Sequence, residues 1–210
     1  MVARPRLVLV TDPMCSWCWG MADEFEQARV ALANDIQFDL MLGGINVHGT
    51  QPIGDYGRRF MRRLWQEVAD TTGQRFGQLY ADEYVHNSVL PCLALHTINQ
   101  WSGEIRFDAL HRLQRDFFVN GVNINNRTYL IEFAEELGIE IADFTQRLED
   151  PAALEQLKFQ FEMAGQFGTQ ALPSLLIADD PDEPAKLGLL AGGYVDAGML
   201  QTLLDSRLSR

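Results

Sequence analysis

The sequence predicts an α/β fold in which one mixed β-sheet, built in the order βαβ and then ββα, is interrupted by an all-α helical insertion. Three observations lead to this prediction. A strand pattern, a helix pattern and a second strand pattern follow one another within residues 7–42. No strand pattern occurs over about the next hundred residues, where helical periodicity dominates. Two short strand patterns and a last helix pattern then close the chain.

The first segment is a βαβ unit. Leu7–Val10 is a continuous apolar run, which is typical of a strand covered on both faces. From Cys15 to Leu32 apolar residues recur with helical spacing, and Ile36–Leu42 then alternates between apolar and polar residues as a strand does. A short βαβ connection implies two parallel strands joined by a right-handed crossover.

The middle of the chain consists of successive helix patterns. Asn87 and Ser88 precede one of them as a predicted N-terminal cap, and Pro91 is tolerated in its first turn. The predicted helices cover about 55–72, 88–101, 107–119, 128–138, 142–149 and 151–168.

The last segment predicts a ββα unit. Leu175–Ile177 and Leu187–Ala191 flank an acidic turn, which favours an antiparallel hairpin. A final helix is predicted over about 196–208.

Composition narrows the function classes. The 210 residues carry a formal net charge of −12, which opposes binding to nucleic acid or to an anionic membrane surface. No apolar run approaches the length of a membrane span. The short N-terminal apolar run ends in Thr-Asp-Pro without a small-residue cleavage site, so we interpret it as a strand and predict a cytoplasmic protein without a signal peptide.

The segment "DPMCSWCWG" (12–20) holds two of the three cysteines, Cys15 and Cys18. They have three interpretations: core residues, half of a metal site, or a redox pair. A structural zinc site needs four ligands, and Cys92 and the four histidines are scattered, so we predict no metal. Redox chemistry is favoured because the start of a helix stabilises a thiolate, and because Cys18 lies one turn after Cys15 on the same face.

These features resemble the DsbA-like group of thiol-disulfide oxidoreductases in the thioredoxin superfamily, in its predicted protein-disulfide isomerase (FrnE-like) branch. The cysteine segment follows the first strand, and "LGGIN" (42–46) ends the second. "GTQALPSLLI" (168–177) brings a proline just before a strand, and "GGY" (192–194) follows the hairpin. The resemblance covers essentially the whole chain.

The resemblance implies a thioredoxin-like domain made of residues 1–45 and 151–210, with 46–150 as the inserted helical lobe. It implies that Cys15 is the nucleophile, that Cys18 is the resolving thiol and that Pro173 is a cis-proline facing the pair. In this family such a proline exposes the backbone of the preceding residue, here Leu172, to an extended substrate chain. Trp17, Trp19 and Leu172 are apolar and close to the pair, and they suggest an apolar docking surface beside the cysteines.

Two features depart from the family pattern. Ser16 and Trp17 separate the cysteines, and because this dipeptide tunes redox potential, the direction of electron flow stays open. Many relatives have a buried acid six positions before the first cysteine, where this chain has Leu9. Asp12 is the nearest acid to the pair in sequence, but it is also a typical turn residue before Pro13.

Three other polar or sulfur-containing residues were considered for the site. Asn46 and His48 lie in a loop that the resemblance brings near the site, although a solvated loop residue is the simpler interpretation of His48. Cys92 lies in a mostly apolar helix pattern and is predicted to be a core residue.

We therefore predict a thiol-disulfide oxidoreductase or isomerase that acts on disulfide- or thiol-containing peptides or small molecules. No tightly bound cofactor is expected, and glutathione or another thiol is a candidate electron donor. One alternative is a glutathione-dependent isomerase of the 2-hydroxychromene-2-carboxylate type, a sister group in which serine typically replaces the first cysteine. A second is a non-catalytic module that binds a partner through the helical lobe.

Overall fold

A mixed β-sheet lies at the centre of the structure, a computed structural model that describes residues 4–79, 83–167, 171–178, 180, 183 and 185–208. Within these residues the sheet has four strands in the order β2-β1-β3-β4. The strands are β1 (Arg6–Thr11), β2 (Gln37–Leu42), β3 (Ser174–Ala178) and β4 (Gly188–Gly192).

The pairing of the strands confirms the predicted βαβ and ββα units. β1 is parallel to β2, with Leu9 opposite Leu40. β3 is antiparallel both to β1 and to β4. The two central strands, β1 and β3, are buried along nearly their whole length, which explains their continuous apolar sequences. The C-terminal end of β1 lies next to the N-terminal end of β3, at the same end of the sheet.

The described helices follow the predicted positions closely. They are α1 (Ser16–Gly20), α2 (Ala22–Ala31), α3 (Gly54–Thr72), α4 (Val89–Trp101), α5 (Arg106–Phe118), α6 (Arg127–Glu136), α7 (Ile141–Leu148), α8 (Pro151–Gln166) and α9 (Ala197–Leu208). Residues 168–170, which belong to the proline motif and include the predicted end of the helix at 151–168, lie outside the described residues, as do parts of the acidic turn before β4.

The single helix predicted from Cys15 to Leu32 is wrong, because Met21 divides it into α1 and α2. The short helix α1 also packs closely against α3. A side chain at Gly20 would come within 2.7 Å of Val68 on α3, so glycine permits α1 to lie directly against that helix. The short helix that begins after Cys15 is thereby fixed by α3 as well as by the sheet.

Ser88 occupies the predicted N-cap position of α4, but its side chain does not cap the helix. Asn87 does so in part, because its Oδ1 accepts a hydrogen bond from the backbone N–H of Val89 at 2.9 Å. The Ser88 hydroxyl points instead to the cysteine-bearing turn, as described below.

One large hydrophobic cluster joins the sheet to the helices. Trp19 of α1 stacks on Phe118 of α5, with ring centroids 6.3 Å apart, and Trp65 of α3 meets the same phenylalanine edge-on at 5.5 Å. The helix that follows Cys15 is thus packed against helices from the middle of the chain. No described helix is both long enough and apolar enough to cross a bilayer.

Candidate active site

The end of β1 places Cys15 at the start of α1. After Thr11 the chain turns, and the backbone N–H of Cys15 donates to the carbonyl of Asp12 at 3.2 Å. Cys15 is the N-cap residue of α1, and its Sγ accepts the backbone N–H of Cys18 at 3.2 Å. The structure therefore brings the two cysteines together, both as free thiols.

The two thiols differ in their electrostatic surroundings although both are buried, at 5% and 4% exposure. Burial raises the pKa of Cys18 well above its usual value, and the adjacent Cys15 sulfur raises it further. Cys18 is therefore a protonated thiol at neutral pH. Cys15 has the Cys18 N–H donor directed at its sulfur, and this donor favours negative charge there.

Leu172 lies beside Cys15, and Pro173 follows it directly before β3. The Leu172–Pro173 peptide bond is cis. The thiol of Cys15 donates to the carbonyl oxygen of Leu172, with the sulfur 3.6 Å from the oxygen. The carbonyl of Pro173 accepts the N–H of Gly193 at 2.8 Å, which ties this segment to the "GGY" sequence after β4.

A cavity of about 630 Å³ opens beside the cysteine pair. Cys15, Trp17 and Leu172 line it, and the Trp17 ring also packs against Tyr194 with centroids 5.9 Å apart. Trp19 is buried and is not among the described lining residues, so the expectation that it belongs to the docking surface is wrong. The rest of the described lining is mainly apolar or glycine: Met14, Gly43, Gly44, Ile45, Phe60, Met61, Leu64, Phe161, Ala164 and Gly165. None of the described lining residues is an acid, a lysine or an arginine.

Two cavity residues come from parts of the chain that the sequence did not connect with the cysteines. Phe60, on α3, is 49% exposed and lines the cavity. His86 also lines it, and burial lowers the pKa of its imidazole to about 4, so the ring is neutral at physiological pH. A helical apolar pattern predicts only that Phe60 lies on a helix, and nothing in the local sequence distinguishes His86.

Asn46 lies near the site as expected, whereas His48 is exposed and is not among the described lining residues. Asn46 has a left-handed backbone (φ 48°), which asparagine tolerates better than most residues. Its side-chain amide donates to the carbonyl of His86 at 2.5 Å. This bond joins two segments of the cavity wall.

Asp12 is fully buried and is a turn residue in this structure. Its Oδ1 accepts the backbone N–H of Met14 at 2.7 Å, and its Oδ2 accepts the Ser88 hydroxyl at 2.5 Å. The thiol of Cys92 donates to Oδ2 at 3.4 Å. Burial raises the pKa of Asp12 to about 6, and these hydrogen bonds oppose the rise. Cys92 is fully buried, yet this contact with a carboxylate was not expected from the sequence.

Among the described residues no cluster of histidine, cysteine and acidic side chains could hold a metal ion. The site instead offers chemistry based on sulfur. One thiol faces a cavity beside the Leu172 backbone carbonyl, and the second thiol lies one helical turn after it. This arrangement is suited to nucleophilic attack by one sulfur and resolution by the other.

Comparison with known proteins gives a consistent assignment. The thioredoxin family matches residues 9–196. A provisionally named protein disulfide isomerase from Nitrosomonas europaea is 26% identical, with a TM-score of 0.89 and 98% of each chain covered. The cytosolic disulfide reductase DsbM from Pseudomonas aeruginosa is 23% identical, with a TM-score of 0.73 and coverage of 97% of this chain and 95% of DsbM. The resemblance to the DsbA-like group is thereby confirmed.

Two other similarities concern the alternatives. The ClpXP adapter protein SpxH of Halalkalibacterium halodurans is 20% identical over 174 residues, which are 80% of this chain. The chain spans 57% of the length of that curated relative. A 2-hydroxychromene-2-carboxylate isomerase shares the fold with a TM-score of 0.63 at 11% identity, over 96% of this chain and 93% of the isomerase.

Proposed function

This chain belongs to the thioredoxin family, and from that premise we propose that it is a thiol-disulfide oxidoreductase with Cys15 as nucleophile and Cys18 as resolving thiol. One observation carries the proposal. The Cys15 sulfur lines a cavity, accepts the Cys18 N–H at 3.2 Å and lies beside the Leu172 carbonyl. This geometry supports the roles that we propose for the two cysteines.

The first step is attack on a substrate disulfide. The Cys15 thiolate forms a bond to one substrate sulfur, the substrate S–S bond breaks, and the other sulfur leaves as a thiolate that takes up a proton. The backbone N–H of Cys18 stabilises the attacking sulfur before this step. The product is a mixed disulfide between Cys15 and the substrate.

The second step resolves the mixed disulfide. Cys18 loses its proton and attacks the Cys15 sulfur, which forms the Cys15–Cys18 disulfide and releases the second substrate thiol. The raised pKa of Cys18 delays this step, since only the thiolate attacks. A delay gives the substrate time to rearrange, so this property supports isomerase as well as reductase activity.

Substrate docking involves Leu172, Pro173 and Trp17. A mixed disulfide at Cys15 brings the substrate backbone against the Leu172 carbonyl, which can accept a hydrogen bond from an extended peptide. The groups that flank the substrate sulfur then fill the cavity. Since its described lining is mainly apolar and contains no acid, lysine or arginine, apolar flanking groups should bind best.

Two electrons must return to the enzyme after each reduction of a substrate. Glutathione is our candidate donor, or another small thiol, with no tightly bound cofactor. The solved complex of the Pseudomonas aeruginosa reductase DsbM with GSH supports this choice for a relative of the same fold. Two thiols would each contribute one electron and form a disulfide in the exchange. In a reducing cytoplasm, the location that we predict, such a protein would act mainly as a reductase or isomerase.

The second candidate is a glutathione-dependent isomerase in which Cys15 takes the role of the serine typical of that group. The fold likeness to the 2-hydroxychromene-2-carboxylate isomerase and the apolar cavity favour it. In that mechanism Cys18 is dispensable. The similarity to SpxH also favours testing a non-catalytic adapter role, for which both cysteines are dispensable.

The test is reductive turnover of insulin or a mixed-disulfide peptide, with glutathione as donor, by the wild type and by Cys15→Ala and Cys18→Ser. An oxidoreductase loses turnover in both variants. Glutathione-dependent isomerisation of a 2-hydroxychromene-2-carboxylate, measured separately, favours the second candidate if it survives Cys18→Ser. Equal disulfide turnover by the wild type and Cys15→Ala contradicts the proposal.

A further inference from the structure

We propose that Asp12 is a positioning residue whose ionised carboxylate holds two walls of the cavity together. The first wall is the cysteine turn (residues 12–15), and the second is the glycine loop (residues 43–46). The inference rests on the proposed function of Cys15 as nucleophile. Asp12 itself does not line the cavity and acts only through the backbone that carries Cys15.

Asp12 holds the cysteine turn through two bonds. Its Oδ1 accepts the backbone N–H of Met14 at 2.7 Å, and its own carbonyl accepts the N–H of Cys15 at 3.2 Å. Met14 and Cys15 both line the cavity. The orientation of the Cys15 sulfur toward the Cys18 N–H therefore depends on this turn.

Ser88 connects the same carboxylate to the glycine loop. Its hydroxyl donates to Oδ2 of Asp12 at 2.5 Å and accepts the backbone N–H of Ile45 at 2.7 Å. The backbone N–H of Ser88 donates to the Ile45 carbonyl at 3.1 Å. A serine at an N-cap usually bonds to its own helix, and here that bond is given up for the link to Asp12.

Stability alone does not explain a carboxylate in this place. Asp12 is 0% exposed, and no cation in the described part of the chain forms an ion pair with it. Burial of a carboxylate without a cation is costly, and only hydrogen bonds from Met14, Ser88 and Cys92 offset that cost here. The charge is therefore held by the same bonds that connect the two walls.

Among the residues that the structure describes, the titratable groups that face Asp12 are thiols. Cys92 on α4 donates to its carboxylate, and the sulfur of Cys18 on α1 faces its backbone. Burial raises the pKa of Asp12 to about 6, so the carboxylate loses its charge in mildly acidic solution. Hydrogen bonds to an ionised carboxylate are roughly twice as strong as those to a neutral acid. Protonation should therefore loosen the cysteine turn and slow the reaction of Cys15.

Asp12→Asn provides the test, since asparagine has nearly the same shape and no charge. The rate of Cys15 alkylation by iodoacetamide is measured by mass spectrometry from pH 5 to pH 8 in the wild type and the variant. The two proteins are compared by the ratio of the wild-type rate to the Asp12→Asn rate at each pH. We expect this ratio to be near one at pH 5, where Asp12 is neutral. At pH values where Asp12 is ionised, the ratio should be about three- to tenfold higher.

Ser88→Ala is a second variant that does not depend on the folding of Asp12→Asn. Loss of the Ser88 donor raises the pKa of Asp12 further, so the pH at which Cys15 becomes fully reactive should move upward. Asp116→Asn is the control, because Asp116 bonds to the hydroxyl of Tyr129 at 2.6 Å and does not line the cavity. Its ratio to the wild type should be independent of pH.

A ratio for Asp12→Asn that does not change with pH overturns the inference. A ratio that falls below one as pH rises also overturns it, because the charge of Asp12 would then only repel the Cys15 thiolate. Alkylation needs no disulfide substrate, so this test is separate from that of the proposed function. If the ratio for Asp12→Asn rises with pH but the wild type does not turn over a disulfide, only the proposed oxidoreductase activity is contradicted. A flat ratio with Cys15-dependent turnover contradicts only the positioning role.

Discussion

The sulfur of Cys15 lies 3.6 Å from the carbonyl oxygen of Leu172, although 157 positions separate the two residues in sequence. The contact joins the end of β1 to the segment just before β3, two central strands that pair in antiparallel fashion. It places a nucleophilic sulfur beside a backbone acceptor at the edge of an apolar cavity. The proposed chemistry depends on this arrangement, and the following predictions test its parts.

Cys15 should be alkylated faster than Cys18 and Cys92, by about tenfold or more at neutral pH. All three thiols are buried, but of the three only Cys15 is among the described lining residues of the cavity. In addition, burial raises the pKa of Cys18 and of Cys92 well above the usual value. Mass spectrometry of the three peptides after brief treatment with iodoacetamide measures the rates. In urea the three rates should become equal, and equal rates in the native protein would contradict the prediction.

Trp17→Ser should raise KM for a peptide disulfide about three- to tenfold with little change in kcat, because the indole provides apolar contact area beside the sulfur. Trp101→Ser is the matched control. Trp101 is 40% exposed at the end of α4 and is not among the described lining residues of the cavity. Steady-state kinetics of both variants measures the effect, and KM should change only for Trp17→Ser. An unchanged KM for Trp17→Ser would count against apolar docking at this position.

Gly44→Ala should lower the free energy of unfolding by about 1–3 kcal/mol. Gly44 has a positive φ of 71°, and a Cβ there would lie 2.8 Å from Val47 and 3.0 Å from Phe161. Gly165→Ala is the control, because no atom lies within 4 Å of a Cβ at that helical position. Urea denaturation of both variants measures the effect. The account of the glycine loop is wrong if Gly165→Ala is the more damaging change.

Asp12 should make the free energy of unfolding fall as pH rises from about 4 to 6. Its pKa is about 6 in the folded protein and 3.8 for an ordinary aspartate, so unfolding in this interval releases a proton and is favoured by higher pH. The stability of the wild type relative to Asp12→Asn should decline by at most about 3 kcal/mol from pH 4 to pH 7. Urea titrations at both pH values test this, and a difference that is constant or grows with pH contradicts it.

Periodicity sufficed to predict the strands and most helices. Leu7–Val10 and Leu175–Ile177 are short apolar runs because β1 and β3 are covered on both faces, and that burial is visible in the sequence. The break at Met21 was not visible, and neither was the close approach of Gly20 to α3 next to it. A contact between distant elements leaves no local pattern.

The site was predictable only in part for the same reason. The spacing of Cys15 and Cys18 suggests sulfur chemistry by itself, but only the family resemblance connected Leu172 and Pro173 with the pair. Ser88 looked like a helix cap, and its bond to Asp12 follows from how α4 meets the end of β1. His86 carries no sequence signal at all, since its neutral state results from burial in the folded protein. The division into a 1–45 plus 151–210 domain and a 46–150 lobe stays a prediction.

The most direct test of the central claim is to trap the mixed disulfide. Cys18→Ser is incubated with a peptide disulfide, and the adduct is located by mass spectrometry without reduction. Our account predicts that one peptide binds per chain, that it is attached to Cys15, and that the added Cys15→Ala change abolishes the adduct. No adduct, or an adduct attached to Cys92, would contradict the assignment of Cys15 as the nucleophile.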